Sequence, residues 1–297
     1  MDLPIDTHDI EYAENFLASG DIATALPLLK RLTEMVEEHV ERECADTERT
    51  QWFSFNDAFE RLAYRRVEND PRELVQMPAP LDRLYAALAF AYIREQEWLL
   101  ARDALMQAVR WNPMNCNYRL DLAEIFRALE DRQEWASLSY SVIERASDSL
   151  SAARAYANLG QFFLDEDRPT AASGCSRLAL ALAPTDPRVS RLANRLMGEH
   201  PEVAEESDDH VMGELSLEGI PTTPNAEIAI CLLMCATDAA RDGDSQAATD
   251  FTIRAHNLVG QDAAKALLKL IHESDAELAA DKEAAEGSGT EPGSAGE

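Results

Sequence analysis

The chain has 297 residues, an apolar fraction of 46% and a formal net charge of −28. This length and composition allow a large core or several stacked repeat units, and they exclude a wholly disordered chain. A strong negative charge repels phosphate backbones and anionic lipid, so we expect neither nucleic acid nor a membrane surface as a partner. Leu and Ala, both good helix formers, dominate the apolar residues and predict an all-α protein.

The sequence also indicates a compartment. Its first residues, MDLPIDTHDIEYAENF, lack the basic start and apolar run of a signal peptide. No stretch approaches the ~20 apolar residues that cross a bilayer. Five scattered cysteines are typical of free thiols in a reducing environment. We therefore expect a cytoplasmic protein.

Residues 82–113 carry two apolar stripes at helical spacing, separated by the polar connector Arg94–Glu97. The first stripe contains Tyr85, Leu88, Ala89 and Tyr92, and the second contains Trp98, Ala101, Leu105 and Ala108. Pro113 ends the second helix because proline has no N–H to donate and restricts the residue before it. The segment predicts a helical hairpin.

The same pattern returns 71 residues later with residue size preserved. The matched pairs are Tyr85 and Tyr156, Leu88 and Leu159, Ala89 and Gly160, Tyr92 and Phe163, Ala101 and Ala172, Ala108 and Ala179, and Pro113 and Pro184. This resembles the tetratricopeptide repeat (TPR), which has a period of ~34 residues. The resemblance implies an α-solenoid in which the first helix of each hairpin lines a concave face.

We predict antiparallel helix pairs over Leu81–Asn112, Asn117–Arg145 and Ser151–Leu182, with Ala101 and Ala172 buried where helices cross. The middle unit carries about three extra residues, which we assign to its turn sequence ALEDRQE. Weaker copies of the pattern, with turn glycines Gly20 and Gly243, indicate degenerate repeats towards both ends.

The predicted organisation has five parts. They are an N-terminal helical region with a degenerate repeat (6–76), a core of three TPR-like repeats (77–197), an acidic mobile linker (198–225), a C-terminal degenerate repeat (226–279) and a disordered tail (280–297). Trp52, Phe53 and Phe55 in the first part are expected to pack the region between Ala45 and the core rather than grip a ligand.

No residue pattern predicts catalysis, a metal site or a cofactor. Cys231 and Cys235 share a helix face, but a zinc site needs about four ligands, and buried cysteine is the favoured interpretation. The histidines lie in no nucleophile motif, and glycine loops that would cradle phosphates are lacking. We therefore expect a binding protein and not an enzyme.

The resemblance implies a scaffold or adaptor that binds a protein or peptide segment on its concave face. The groove candidates are Arg83, Phe90, Arg94, Asn117, Arg127, Arg154, Asn158 and Gln161, accompanied by Glu124. Four arginines in one groove favour a carboxylate-bearing segment, although ordinary solvated arginines explain them equally well. The alternatives are a regulatory or catalytic protein with the repeats as its frame, and self-assembly through the end hairpins.

Overall fold

The computed structural model describes residues 3–287, with side chains described for residues 3–274. Within that range the chain forms fourteen α-helices, one 3₁₀ helix and two short strands. In chain order these are α1 (Thr7–Ser19), α2 (Ile22–Glu43), β1 (Thr50–Phe53), α3 (Ala58–Glu68), β2 (Glu73–Gln76), α4 (Leu81–Arg94), α5 (Trp98–Trp111), α6 (Cys116–Ala128), α7 (Arg132–Ile143), α8 (Ser149–Asp165), α9 (Pro169–Leu182), α10 (Pro187–Glu199), the 3₁₀ helix (Pro201–Glu205), α11 (Asp208–Leu217), α12 (Ala226–Arg241), α13 (Ser245–Val259) and α14 (Gln261–Gly287). The chain divides into a unit that ends at Ile228 and a second unit that begins at Ala229.

Five turns between consecutive helices share one backbone design. In each turn a residue with positive φ follows the first helix: Gly20, Gln96, Glu130, Asp167 and Gly243. The N–H of the next residue then donates to a carbonyl five positions earlier, at 2.9 Å in every case. This is the hydrogen bonding of a left-handed helix cap, and it reverses the chain within three residues. The structure is thus a helical repeat.

The three core hairpins match the helix pairs predicted from the sequence. They are α4–α5, α6–α7 and α8–α9, and each pairs closely in space. Ala101 and Ala172 are fully buried, as predicted. A Cβ on Gly160 would lie 2.5 Å from Leu192 Cδ2 and 3.1 Å from Cys175 Cβ, so the nearest neighbours of Gly160 are these residues and not Ala172. Small residues therefore let α8, α9 and α10 approach closely.

The extra residues of the middle unit lie elsewhere than predicted. The positive-φ residues Gln96 and Glu130 are one ideal period of 34 residues apart, so the ALEDRQE turn carries no insertion. The interval from Glu130 to Asp167 is longer, and α8 has 17 residues where α4 has 14. An additional turn of α8 absorbs the insertion, because a helix lengthens by a turn without changing its face.

A small parallel pair of strands, which the sequence did not predict, follows the first hairpin. Strands β1 and β2 flank α3 and pair in register from Thr50 with Glu73 to Phe53 with Gln76. Phe53 and Phe55 stack at 4.7 Å with their planes 12° apart, and both are buried, so the packing interpretation of these aromatics is correct. Ser54 N–H donates to the Trp111 carbonyl at 2.8 Å, which fixes the insert to the end of α5.

The acidic segment 198–225 is packed and does not form the mobile linker that we expected. It contains the 3₁₀ helix and α11, whose Val211 and Leu215 are fully buried. A Cβ on Gly174 of α9 would lie 3.1 Å from Leu215 Cδ2. The absence of a side chain on Gly174 therefore leaves room for α11 to pack against α9. Arg177 donates to the Val203 and Glu206 carbonyls at 3.0 and 2.9 Å. Widely spaced apolar residues therefore anchor the segment despite its charge.

The second unit contains most of α12 together with α13 and α14. Helix α14 extends to Gly287, so the disorder predicted for residues 280–297 is wrong for the first eight of them. Their Ala, Glu and Lys residues are strong helix formers. The remaining residues, 288–297, lie outside the described range.

A buried polar cluster marks the start of the core. Asp82 is fully buried, and one of its carboxylate oxygens accepts hydrogen bonds from Asn112 Nδ2 at 3.2 Å and from the Tyr118 hydroxyl at 3.1 Å. Asn112 also donates to Glu60 Oε2 at 2.8 Å. Desolvation by burial raises the pKa of Asp82 and of Glu60, although these hydrogen bonds oppose it.

Close packing at Gly160 predicts that replacing this glycine by leucine costs more stability than the same replacement at an open glycine. Gly160→Leu should destabilise the protein by about 1–3 kcal/mol, because it overfills the contact between α8, α9 and α10. Gly198→Leu on α10 is the matched control, since a Cβ there meets nothing within 4 Å. Urea unfolding of both variants measures the difference, and equal stability would contradict the packing described here.

Burial of Asp82 predicts how stability changes with pH. A carboxyl whose pKa is raised by folding stabilises the protein fully below its unfolded pKa, about 3.9 for Asp, and this contribution is lost as the pH rises through the folded value. Asp82→Asn should therefore become more stable relative to wild type as the pH increases from about 4 to 7. Denaturant unfolding across this range checks the trend. Asp103→Asn, at an exposed position of α5, controls for loss of a charge.

Candidate binding site on the first helices

The first helices of successive hairpins present the predicted groove residues on neighbouring elements. On α4, Arg83 pairs with Glu14 of α1, with Nη2 and Oε2 2.5 Å apart. Phe90 is 43% exposed, and the guanidinium of Arg94 lies 5.9 Å from its ring centroid. Arg94 has no carboxylate partner among the residues described. The exposed pair Phe90 and Arg94 is therefore available for contact.

Two of these residues line a pocket that we call the apolar pocket. It has a volume of about 390 Å³ and is lined by Glu14, Leu17, Ala18, Arg83, Ala86, Ala87, Phe90 and Tyr118. Its walls come from α1, α4 and α6, and the lining is mostly aliphatic and aromatic. It would accept an apolar side chain, because burying that surface is favourable.

Three other predicted residues meet in a second pocket, which we call the arginine pocket. It has a volume of about 170 Å³ and is lined by Glu124, Arg127, Trp135, Ala157, Asn158, Gln161, Arg188, Arg191 and Leu192. The residues come from α6, α7, α8 and α10, so side chains far apart in sequence converge there. Three guanidinium groups and one carboxylate give this pocket a net charge of +2.

Glu124 is the internal counter-ion of the arginine pocket. One carboxylate oxygen accepts from Arg127 Nη2 at 2.6 Å, and the other accepts from Arg188 Nη1 at 3.4 Å. Arg191 is exposed and has no ion-pair partner in the described part of the chain. The pocket therefore holds one bridged pair of arginines and one arginine that is not engaged.

Trp135 forms a wall of the same pocket. Trp135 is 3% exposed, and the Arg127 guanidinium lies 5.8 Å from the centroid of its ring. Its buried indole nitrogen has no hydrogen-bond partner among the described residues. Buried N–H groups usually have a partner, so this unsatisfied donor is an exception within the packing around α7.

Arg154 and Asn158 contribute to α8 packing as well as to the face. Arg154 Nε donates to Asp186 Oδ2 at 3.2 Å, and Asp186 is the N-cap of α10. Burial alone would raise the pKa of Asp186, but hydrogen bonds from the Arg188 and Val189 amides and from Arg154 hold it below its usual range. Asn158 is buried, and its Nδ2 donates to Ser139 Oγ at 3.2 Å.

A second carboxylate of this face, Asp121 on α6, interacts with the arginines around it. The residue is exposed. Desolvation and the neighbouring Glu124 raise its pKa, while Arg188 and Arg154 oppose the rise. Asn117 is exposed on the same helix, and it lines neither pocket.

The sequence prediction missed Trp135, Arg188, Arg191 and Leu192. A signal for α10 was present, because the offset of 71 that links the core repeats also maps Asn117 onto Arg188. Pro187 and the capping Asp186 mark the helix start there. Trp135 lies on a second helix, and only the packing of α6 against α7 and α8 brings it to the pocket.

Within the described residues, no group of three or more His, Cys, Asp or Glu side chains could hold a metal ion. Across the same residues, the helices lack an apolar stretch long enough to span a membrane.

No family model matches the chain, and no curated protein matches it. Among solved structures, PilF of Pseudomonas aeruginosa, the subject of a functional characterization, is similar at 15% identity over 87% of this chain and 94% of that chain, with a TM-score of 0.46. At this identity and score the likeness says nothing about function, and the fold described here rests on the helices and contacts of the chain itself.

The Asp186 cap predicts a pH-dependent loss of stability. Asp186→Ala should cost about 0.5–2 kcal/mol near pH 7, because α10 loses its N-cap. A carboxyl whose pKa is lowered by folding stabilises the protein above its unfolded value and loses that effect as the pH falls through the folded value. The difference from wild type, measured by urea unfolding, should therefore shrink below pH about 4. Asp186→Asn keeps a capping side chain, so it should lose less unfolding free energy than Asp186→Ala at neutral pH.

Proposed function

We propose that this chain is a TPR-like scaffold of the cytoplasm that binds a segment of another protein along the face formed by α4, α6, α8 and α10. The observation that carries the proposal is the convergence of side chains from four helices on the arginine pocket. The apolar pocket, lined from α1, α4 and α6, lies on the same series of helices. The function is recognition and not catalysis.

The chemistry of the two pockets supports a segment with an apolar anchor and an anionic group. Phe90 and its aliphatic neighbours offer an apolar contact, while Arg127, Arg188 and Arg191 offer charge-assisted hydrogen bonds. Neighbouring helices pack about 8–10 Å apart, so an extended chain of roughly five or six residues would cross two helix spacings. A short extended peptide is therefore the fitting ligand.

The acidic exterior supports the choice of this face. With a net charge of −28, most of the surface repels an acidic ligand, whereas the arginine pocket attracts one. A basic ligand would instead dock on acidic elements such as the 3₁₀ helix and α11. These two classes of ligand therefore use different surfaces, which mutations distinguish.

The test measures affinity for a partner recovered by pull-down, and maps it with variants of both surfaces. Phe90→Ala, Arg94→Ala and Arg191→Ala should each weaken binding, by roughly 1.5–3 kcal/mol where a charge-assisted bond is lost. Arg102→Ala is the matched control, because Arg102 lies on the second helix α5 and pairs with Asp103. Neutralising Asp208, Asp209 and Glu214 on α11 should leave affinity unchanged.

Two results would refute the proposal. If the arginine and Phe90 variants bind the partner normally while the α11 variants lose affinity for it, the acidic segment 198–225 is the binding element. If the recovered molecule is chemically converted by the protein, the repeats are the frame of an enzyme. Circular dichroism of each variant checks that its helices are intact.

A further inference from the structure

We infer that the arginine pocket recognises a phosphorylated side chain, that is, a phosphoryl dianion carried by the bound protein segment. This inference rests on the proposed function and specifies the ligand chemistry of one of its two pockets. It follows from the charge, the donors and the internal ion pairs of that pocket.

Charge complementarity is the first argument. The pocket has a net charge of +2, and a phosphorylated serine or threonine carries about −1.5 to −2 at neutral pH. A carboxylate would compensate only half of the pocket's charge. Glu124 and the nearby Asp121 act on Arg127 and Arg188, so Arg191 carries most of the excess positive charge in an otherwise acidic chain.

The donors of the pocket are the second argument. Arg127, Arg188 and Arg191 bring guanidinium groups to the pocket from α6 and α10. Arg127 and Arg188 each donate to Glu124, while Arg191 has no ion-pair partner among the described residues. Gln161 on α8 lines the same space, and its side-chain amide nitrogen donates to Asp165 Oδ1 at 3.1 Å. A phosphoryl group has three strongly accepting oxygens, so it can use donors from several directions at once.

The position of Glu124 is the third argument. Its carboxylate bridges Arg127 on α6 and Arg188 on α10, so an anionic group already occupies the position between these two guanidinium groups. The same carboxylate competes with an incoming anion for both arginines. A dianion offers stronger attraction than Glu124, and the unengaged Arg191 provides its first contact. Glu124 therefore lowers affinity for weak anions and makes the pocket selective.

The inference is tested with small blocked amino acids titrated into the full chain by calorimetry. The probes are N-acetyl-O-phosphoserine N-methylamide, the matching glutamate derivative and the unphosphorylated serine derivative. We expect the phosphoserine probe to bind at least tenfold more tightly than the glutamate probe, and the serine probe not to bind. These probes lack the apolar anchor, so the measurement isolates the arginine pocket.

Two variants locate the site. Arg191→Gln should weaken binding of the phosphoserine probe by about ten- to a hundredfold, as expected for one charge-assisted bond. Glu124→Gln should tighten binding of the same probe by about tenfold, because Arg127 and Arg188 are released. Arg195→Gln is the matched control on α10, where Arg195 pairs with Asp165 and Glu199 outside the pocket, and it should bind as wild type does.

The outcomes separate this inference from the proposed function. Equal affinity for the phosphoserine and glutamate probes would overturn the dianion assignment and leave segment binding on the face intact. Failure of Glu124→Gln to tighten binding, or normal binding by Arg191→Gln, would also overturn it. Loss of the recovered partner in the Phe90→Ala variant is an independent readout of the proposed function, since that residue lies in the other pocket.

Discussion

The three-residue turn between paired helices is the constraint on which the repeat architecture depends. A left-handed residue at its centre lets the following N–H reach back to the carbonyl five positions earlier, and this bond fixes how the second helix leaves the first. Gln96, Glu130 and Asp167 adopt this conformation without being glycine, at some conformational cost. Buried packing of each hairpin offsets the cost and keeps the turn geometry constant along the core.

The stacked hairpins bring α8 next to both α6 and α10, and this arrangement gathers arginines in a negative molecule. Acidic side chains on α6 and before α10 pair with arginines of neighbouring helices, as Glu124 does with Arg188 and Asp186 with Arg154. Partly exposed pairs of this kind contribute little to stability. They also determine which guanidinium groups are engaged and which, like Arg191, have no ion-pair partner among the described residues.

The packed acidic segment after α10 shows how a charged stretch becomes structure. Most of its acidic residues are exposed to solvent, while Val211 and Leu215 of α11 are buried and Leu215 packs against α9 at Gly174. Arg177 supplies hydrogen bonds to two carbonyls of the segment and an ion pair to Asp208. A small number of buried contacts therefore orders a segment whose composition favours disorder.

The sequence by itself determined the hairpins of the core and the burial of Ala101 and Ala172, because helical periodicity and small residues at crossings are local signals that repeat at a fixed offset. It also identified the helices that carry Phe90, Arg127 and Gln161. Only the tertiary structure decided that Trp135 and Arg191 join them, that Glu124 bridges two arginines, and that α11 docks. The physical reason is that these contacts link residues on different helices. The repeat offset marks α10 as a helix of the series, but which side chains converge depends on packing geometry.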